Sequence, residues 1–230
     1  MASPVYRSAS SAAALAPAVE ETLEADGPVP FSSIQESIHP DTYKALTQEP
    51  FAYTDMSSVQ AAVLTLLPEL AEPHNPSSGQ AQPTRDLLVK AKTGTGKTIA
   101  FLVPAIEARL RALEEVGEKA VRDSGLKNDP RVARAAENAY ARKNVGTLII
   151  SPTRELAIQI ANEAMKLTKH RRHGVHLFVG GENKGRQLRF YNESRKDIVV
   201  VTPGRMKDYL QTAQEDIKGA LANMNTVCIL

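Results

Sequence analysis

Two hydrophobic patterns alternate along most of this chain. Short continuous apolar runs, typical of strands buried on both faces of a sheet, alternate with longer segments whose apolar residues recur every three or four positions, as in helices. The predicted strands are 86–90, 147–151, 175–179, 197–201 and 226–230, and the predicted helices are 57–67, 97–113, 154–169, 184–191 and 205–212. This alternation predicts an α/β fold in which helices cover both faces of a parallel sheet.

The pattern also divides the chain into regions. Residues 1–30 lack periodicity and contain four prolines, so we expect either a disordered tail or a segment resembling an organelle transit peptide. Residues 31–230 are predicted to form one domain with two insertions. Prolines and serines predict a loop at 72–84, and 111–144 predicts a charged helical insertion broken near 125–130. The insertion is either an RNA- or partner-binding arm or a solvated extension, and its mixed charges favour the extension.

Composition excludes several classes of protein. A chain of 230 residues can hold one α/β domain with additions, and its net charge of +2 does not by itself indicate a nucleic-acid partner. Cys228 is the only cysteine, which excludes an internal disulfide and a cysteine metal site and fits a reducing compartment. No apolar run approaches the ~18 residues of a membrane span, so we expect no membrane partner.

The most specific chemistry lies between the first predicted strand and the helix that follows it. There the sequence Ala-Lys-Thr-Gly-Thr-Gly-Lys-Thr is typical of a phosphate-binding loop. Gly94 and Gly96 permit backbone angles that let successive amides converge on one oxyanion. Lys97 would neutralise phosphate oxygens, and Thr98 offers a hydroxyl to Mg²⁺, so these two are the predicted catalytic residues. A glycine turn with an exposed lysine is the less favoured interpretation. The predicted nucleotide contacts in this loop are Ala91, Lys92, Thr93, Gly94, Thr95, Gly96, Lys97 and Thr98.

Four further clusters accompany this loop in a fixed order. They are Tyr53 to Gln60 upstream, and then 152–157, Gly180-Gly181 and 202–205 after successive strands. Together with the phosphate loop, the set resembles the first RecA-like domain of DEAD-box ATP-dependent RNA helicases across residues 31–230. Details such as 85–92 are most similar to fungal mitochondrial helicases that act on intron RNA.

The resemblance implies a fold, an activity and partners. The fold is a RecA-like P-loop NTPase domain, and the activity is RNA unwinding coupled to ATP hydrolysis with Mg²⁺. The implied protein is a monomer that binds RNA and ATP, located in the mitochondrial matrix, with the cytoplasm or nucleus as alternatives. A different P-loop enzyme, such as a nucleotide kinase or GTPase, and a non-catalytic RNA-binding module remain open as other functions.

The upstream cluster supplies groups suited to a nucleobase. A primary amide both donates and accepts, so Gln60 can pair with two adjacent atoms of adenine. The resemblance implies that Gln60 recognises adenine and that Tyr53 helps to form the pocket. It also implies a stacking aromatic upstream, for which Phe31 is the candidate and Phe51 the rival. The alternative for Gln60 is a surface polar residue on an amphipathic helix.

The clusters after the later strands carry groups suited to phosphate oxygens. Backbone amides, hydroxyls and guanidinium groups bind a nucleic-acid backbone without selecting its sequence. The resemblance implies that these clusters hold one RNA strand, and the alternative is that they are turns and helix starts. The predicted RNA-binding residues are Pro152, Thr153, Arg154, Gly180, Gly181, Thr202, Pro203, Gly204 and Arg205.

Residues 166–196 are rich in Lys and Arg and contain three histidines. This stretch is either a basic flank near RNA or, as the scattered charges favour, ordinary solvated side chains. The histidines lack cysteine or carboxylate neighbours at ligand spacing, so we infer no metal site there.

The resemblance also implies what should follow the last predicted strand. In the family, a strand of the type Val-Cys-Ile-Leu runs into the Asp-Glu-Ala-Asp motif, whereas this sequence ends at Leu230. We therefore expect a truncated chain, with weak nucleotide binding and no appreciable RNA-stimulated hydrolysis from these residues alone.

Overall fold

The fold is built around four parallel strands. The computed structural model describes residues 27–72, 86–125, 129–212 and 215–230. The strands of the main sheet are β3 (Thr147–Ile150), β4 (Val175–Phe178), β5 (Ile198–Val201) and β6 (Thr226–Ile229), and a small antiparallel pair comprises β1 (Val29–Pro30) and β2 (Asp55–Met56). The order in the main sheet is β4-β5-β3-β6, and every pair is parallel.

Eight α-helices accompany these strands in the described residues, together with two 3₁₀ turns at Phe31–Ile34 and Glu69–Ala71. The helices are α1 (Pro40–Thr47), α2 (Ser58–Leu64), α3 (Lys97–Ser124), α4 (Pro130–Lys143), α5 (Arg154–Leu167), α6 (Lys184–Glu193), α7 (Pro203–Thr212) and α8 (Glu215–Leu221). The sequence predicted each of the four main strands to within one residue at either end. It missed α8.

Both faces of the sheet are covered, as predicted. Successive strand side chains point to opposite faces, so Ile149 and Val200 enter one hydrophobic cluster while Leu148, Val199 and Val201 enter another. The first cluster includes residues of α1, α2, α3 and α5, and the second includes residues of α6, α7 and α8. The sheet therefore forms the middle layer, and its loops emerge at two opposite ends.

The first described elements differ from the prediction. Val29 and Pro30, within the stretch expected to lack structure, pair with Asp55 and Met56. Helix α1, which is not among the predicted helices, begins at Pro40. Proline suits the first turn of a helix because its missing N–H would have no intrahelical acceptor there.

The insertion at 111–144 is a helical hairpin. Helix α3 continues to Ser124, well beyond its predicted end, and Gly125 stops it in a left-handed conformation with φ of 68°. Helix α4 then begins at Pro130, capped by the Asp129 side chain. The break predicted near 125–130 is thus confirmed, whereas the loop predicted at 72–84 lies outside the described residues except for Glu72.

The strand predicted at 86–90 is wrong. These residues form no ladder with any described strand, and Leu87, Leu88 and Val89 are exposed, with Leu88 at 93%. A short apolar run becomes a strand only when a neighbouring strand accepts its backbone hydrogen bonds. The hydrophobic pattern shows that a run can be buried, but it does not show that a partner strand is present.

A buried ion pair ties the long helix to the sheet. Arg109 of α3 donates from Nε to Asp197 Oδ1 at 3.0 Å, and both side chains are fully buried. Arg109 also donates to the Asn144 carbonyl, and Asp197 accepts hydrogen bonds from Arg195 and from the Gly174 amide. Because all these groups are satisfied, the pair can exist inside the protein.

No helix among the described residues is long and apolar enough to cross a membrane.

Candidate nucleotide and RNA sites

The two glycines of the predicted phosphate loop have left-handed backbone conformations. Gly94 and Gly96 have φ of 81° and 78°, in the left-handed region, and α3 begins directly after them at Lys97. The unpaired amides of the first helical turn therefore face the loop. The predicted role of the two glycines rests on this conformation, which side chains other than glycine rarely adopt.

The Lys97 ammonium group points back into the loop. Its Nζ donates to the Ala91 carbonyl at 2.7 Å and also to the Lys92 carbonyl. Thr95 closes the same turn by donating its hydroxyl to the Lys92 carbonyl at 2.8 Å, and Thr93 lies exposed at the turn. Phosphate oxygens would be stronger acceptors for this ammonium group than the two carbonyls. The residues present therefore fit a triphosphate.

Thr98 contacts a residue that the sequence did not single out. The carboxyl group of Glu163 on α5 lies near the Thr98 hydroxyl. Burial raises the pKa of Glu163, while Lys166 and Thr98 act in the opposite direction. Among the described residues no group of three or more His, Cys, Asp or Glu side chains could hold a metal. Mg²⁺ bound at Thr98 would take its other ligands from phosphate oxygens and water.

Gln60 is attached to the phosphate loop. Its side chain is buried, with Oε1 accepting from the Ser57 amide at 2.9 Å and Nε2 donating to the Gly96 carbonyl at 3.2 Å. Ser57 caps α2 and also donates its hydroxyl to the Thr95 carbonyl at 2.7 Å. The interpretation of Gln60 as a surface polar residue is therefore wrong. Each end of its amide retains one further hydrogen-bonding position, so recognition of adenine stays a prediction.

The three upstream aromatic residues form a stack. Tyr53 lies between Phe31 and Phe51, with ring centroids 5.9 and 5.3 Å away. Phe31 is fully buried, whereas Tyr53 is 39% exposed and Phe51 is partly buried. The structure therefore does not support Phe31 as the residue that stacks on a base. Its ring is the end of the stack that lies in the hydrophobic core, which leaves Tyr53 and Phe51 as the accessible aromatics.

The predicted RNA residues converge on one hollow at the carboxyl ends of the strands. This hollow, the strand-end hollow, has a volume of about 430 Å³. It is lined by Pro152, Arg154, Gly180, Thr202, Gly204, Arg205 and Asp208. Three separate loops supply these residues, because parallel strands end at the same edge of the sheet. Six of the nine predicted RNA-binding residues line it, and Thr153, Gly181 and Pro203 are their chain neighbours.

Two helix N-termini face this hollow. Helix α5 begins at Arg154, with the Thr153 hydroxyl accepting from the Leu156 amide at 3.2 Å, and α7 begins at Pro203. Thr153 and Pro203 thus act in starting the two helices. The positive ends of two helices at one hollow favour an anionic ligand.

Arginine positions in the hollow are set by close packing. Gly181 has φ of 80°, and a Cβ there would lie 2.7 Å from Arg154 Nη1, so the glycine is what admits the guanidinium group. Arg205 donates to the Glu182 carbonyl at 2.9 Å. Arg154 has no hydrogen-bond or acidic partner in the part of the chain that the structure describes, so its charge is available to a ligand.

Lys184 and Asp208 were missed by sequence reasoning. Lys184 Nζ lies 3.1 Å from Asp208 Oδ1, and it thereby neutralises the one carboxylate that lines the hollow. Asp208 lies three positions after Arg205 on α7, so helical spacing could have placed it on the same face. No such spacing could have pointed to Glu163, because Thr98, the residue it lies near, is distant in sequence.

Comparisons with known proteins agree with this geometry. The profile of the DEAD/DEAH box helicase family matches residues 76–229. The "ATP-dependent RNA helicase MSS116, mitochondrial" of Phaeosphaeria nodorum is 32% identical over 202 residues, which is 87% of this chain and 29% of that protein. The "DEAD-box ATP-dependent RNA helicase 25" of Oryza sativa subsp. japonica is 41% identical over 128 residues, or 55% of this chain and 18% of that protein. This chain therefore spans less than a third of either relative.

Solved structures show the same fold. "DEAD-box helicase Mss116 bound to ssRNA and UDP-BeF" aligns with a TM-score of 0.58 and 22% identity, covering 89% of this chain and 41% of that one. The yeast DEAD-box splicing factor Prp28 aligns with a TM-score of 0.56 and 21% identity over 84% of this chain and 45% of that one. The family profile covers two thirds of the sequence, including every cluster from the phosphate loop onward. The chain belongs to the DEAD/DEAH box helicase family.

Proposed function

We propose that this chain is the ATP- and RNA-binding part of an ATP-dependent RNA helicase. The observation that carries the proposal is the phosphate loop at 91–98, with left-handed glycines at its centre, hydrogen-bonded to Ser57 and Gln60. In this proposal the loop binds the phosphates of ATP, and the strand-end hollow binds an RNA backbone. Each protein molecule acts as a monomer.

The residues of the chain divide the work between positioning and charge. The loop amides and Lys97 would hold and neutralise phosphate oxygens, while Thr98 would contribute a hydroxyl to Mg²⁺. Mg²⁺ supplies charge neutralisation when it is bound. Because Gln60 contacts both the loop and the cap of α2, it can transmit base recognition to the phosphate site. Tyr53 and Phe51 would line the base.

The first test is nucleotide binding by the Lys97→Ala variant. We expect ATP affinity to fall about tenfold or more, because the variant removes a charge-assisted contact worth about 1.5–3 kcal/mol. Titration of a fluorescent ATP analogue measures this. Lys90→Ala, which removes an exposed lysine just before the loop, is the control and should bind nearly as well as the parent protein. Equal ATP affinity in the parent and the Lys97 variant would refute the phosphate site.

Gln60 gives the nucleotide proposal a second readout. If its amide recognises adenine, GTP should compete with the analogue much less well than ATP does. Equal competition by GTP would favour a less selective P-loop enzyme.

The second test concerns RNA. We expect Arg154→Ala to weaken binding of single-stranded RNA about threefold to tenfold, and to reduce the slope of log affinity against log salt by about 0.7, the value for one phosphate contact. Arg131→Ala, which removes an exposed arginine of α4, is the matched control. Fluorescence anisotropy across a salt series gives both quantities. An unchanged salt slope for Arg154→Ala would exclude this arginine as a phosphate contact.

For localisation we propose the mitochondrion. The support is that two relatives at 32% and 33% identity, from Phaeosphaeria nodorum and Aspergillus oryzae, are named as mitochondrial. Imaging the whole gene product fused to a fluorescent protein tests this. A purely cytosolic or nuclear signal would contradict it.

A further inference from the structure

A second hollow lies at the opposite end of the sheet. The loops that precede β4 and β5, together with the C-terminal end of α5 and part of α6, enclose about 500 Å³. The strand-end hollow is formed by the loops that follow the strands, so the two are separated by the length of the sheet. We call this second site the basic hollow, and it goes beyond the RNA contacts proposed above.

Uncompensated positive charge lines the basic hollow. Arg142, Lys169 and Arg172 are exposed and have no side-chain partner among the residues that the structure describes. Two further arginines are engaged, since Arg171 lies 3.4 Å from Asp41 and Arg195 is bound to Asp197. The three free cations are therefore available to an anionic ligand.

Little negative charge opposes these cations. Glu193 is the one acidic residue lining the hollow in the described part of the chain, and its carboxylate lies 3.1 Å from Arg189 Nε. The basic stretch 166–196, whose charges were expected to scatter, thus brings several of them to one place. Arg142, from the end of α4, joins them only in the tertiary structure.

An exposed aromatic ring lies beside these charges. Phe190 of α6 is 58% exposed and lines the hollow, with its ring centroid 5.2 Å from that of His176. The contact with His176 holds one side of the ring while more than half of the side chain stays accessible. Free cations beside an exposed aromatic face are the combination with which proteins bind single-stranded nucleic acid, since phosphates pair with the cations and a base stacks on the ring. A small inorganic anion would pair with the cations but has no planar face to stack on the ring.

We propose that the basic hollow is a second contact for single-stranded RNA. Arg142, Lys169 and Arg172 bind backbone phosphates, and a base stacks on Phe190. The contact is independent of base sequence, because every base presents a stacking face and every nucleotide a phosphate. An RNA strand that leaves the strand-end hollow could thereby be held at the far end of the domain.

The test is anisotropy with a labelled oligouridylate of about 20 nucleotides and the full 230-residue chain. Arg142→Ala/Lys169→Ala/Arg172→Ala should weaken binding about tenfold and reduce the salt slope by about 2, at about 0.7 for each phosphate. Phe190→Ala should weaken binding about fivefold with an unchanged salt slope, and Phe190→Trp should restore it. The matched control is Lys119→Ala/Arg131→Ala/Arg134→Ala, which removes the same charge from exposed positions of the α3–α4 hairpin.

Several results would overturn the proposal. An equal loss of affinity in the hairpin control would mean that only overall charge matters. Unchanged binding in Phe190→Ala would remove the stacking contact. Inorganic phosphate at about 10 mM gives a further check. If it displaces the oligonucleotide from the parent protein, and the same phosphate concentration displaces it from Phe190→Ala, the hollow is a simple anion site. Phe190-dependent binding of a phosphoserine peptide, with RNA binding unaffected, would indicate a protein ligand instead.

Crosslinking separates this proposal from the proposed function. An oligonucleotide carrying 4-thiouridine should crosslink to the segment 190–195 in the parent protein and in Arg154→Ala alike. If Arg154→Ala binds normally while Phe190→Ala does not, the strand-end contact fails and the basic hollow stands. Crosslinks confined to 152–154 and 202–205 would leave the strand-end contact and refute the basic hollow.

Discussion

Asp197→Ala is expected to lower the free energy of unfolding by about 3–5 kcal/mol, the cost of removing one partner from a buried ion pair. The carboxylate has no exposed surface, and its loss would leave Arg109 charged and unpaired between α3 and the sheet. The Arg195 side chain and the Gly174 amide would lose an acceptor at the same time. Urea unfolding followed by circular dichroism measures the change.

Two variants separate the effect of burial from the loss of a charge. Asp208→Ala breaks a pair of similar length, 3.1 Å to Lys184, but both side chains are partly exposed, so we expect a loss of about 0–1 kcal/mol. Arg109→Met/Asp197→Leu removes both charges and should recover much of the stability lost by Asp197→Ala. Equal losses for Asp197→Ala and Asp208→Ala would show that burial does not strengthen the first pair.

The same pair predicts a dependence on pH. Burial acts to raise the pKa of Asp197, but the hydrogen bond from Arg195 and nearby positive charges hold it below its ordinary value. A carboxyl group with a lowered folded-state pKa stabilises the protein above its unfolded-state pKa, and that stabilisation is lost as pH falls through the lower value. The difference between the parent protein and Asp197→Ala should therefore shrink below about pH 4.

Gly96→Ala is expected to lower the free energy of unfolding by about 2–4 kcal/mol and to weaken ATP binding. A left-handed alanine costs about 1–2 kcal/mol by itself. The new Cβ would also lie 2.4 Å from Gln60 Nε2 and 3.2 Å from Ser57 Oγ, which forces the cap of α2 away from the phosphate loop. Thermal unfolding without nucleotide, followed by ATP titration, measures both effects.

Gly94→Ala is the matched control. Its φ of 81° imposes the same conformational strain, but a Cβ there meets no atom within 4 Å, so we expect a loss of only about 1–2 kcal/mol. The double variant Gln60→Ala/Gly96→Ala removes the collision, and its cost should be smaller than the sum of the two single variants by about 1–2 kcal/mol. Strict additivity would show that Gln60 and the loop are not coupled.

The phosphate loop is a part of the candidate site that could be predicted from the sequence. Gly94, Gly96 and Lys97 are adjacent in the chain, so their conformation and chemistry follow from local rules that a sequence displays directly. The convergence of Arg154, Gly180 and Arg205 was also predictable. Parallel strands bring the loops at their carboxyl ends together whatever the details of packing.

Other features depended on contacts between distant residues. The predicted strand at 86–90 failed because strand formation needs a partner whose position an apolar run does not encode. Phe31 and Phe51 differ in accessibility only because one ring enters the core, which hydrophobicity alone cannot distinguish. Gln60 gained its attachment to the Gly96 carbonyl from the packing of α2 against the start of α3.

The sequence by itself determined the family, the four main strands and the phosphate loop, because each rests on periodicity or on residues close in the chain. Only the tertiary structure decided that Arg109 and Asp197 form a buried ion pair. It also decided that Glu163 lies near Thr98, and that Arg142 and Phe190 line the same hollow. These contacts join residues between 48 and 88 positions apart. Their distances are fixed by how the helices pack on the sheet, and packing depends on the shape of the whole core rather than on any local pattern.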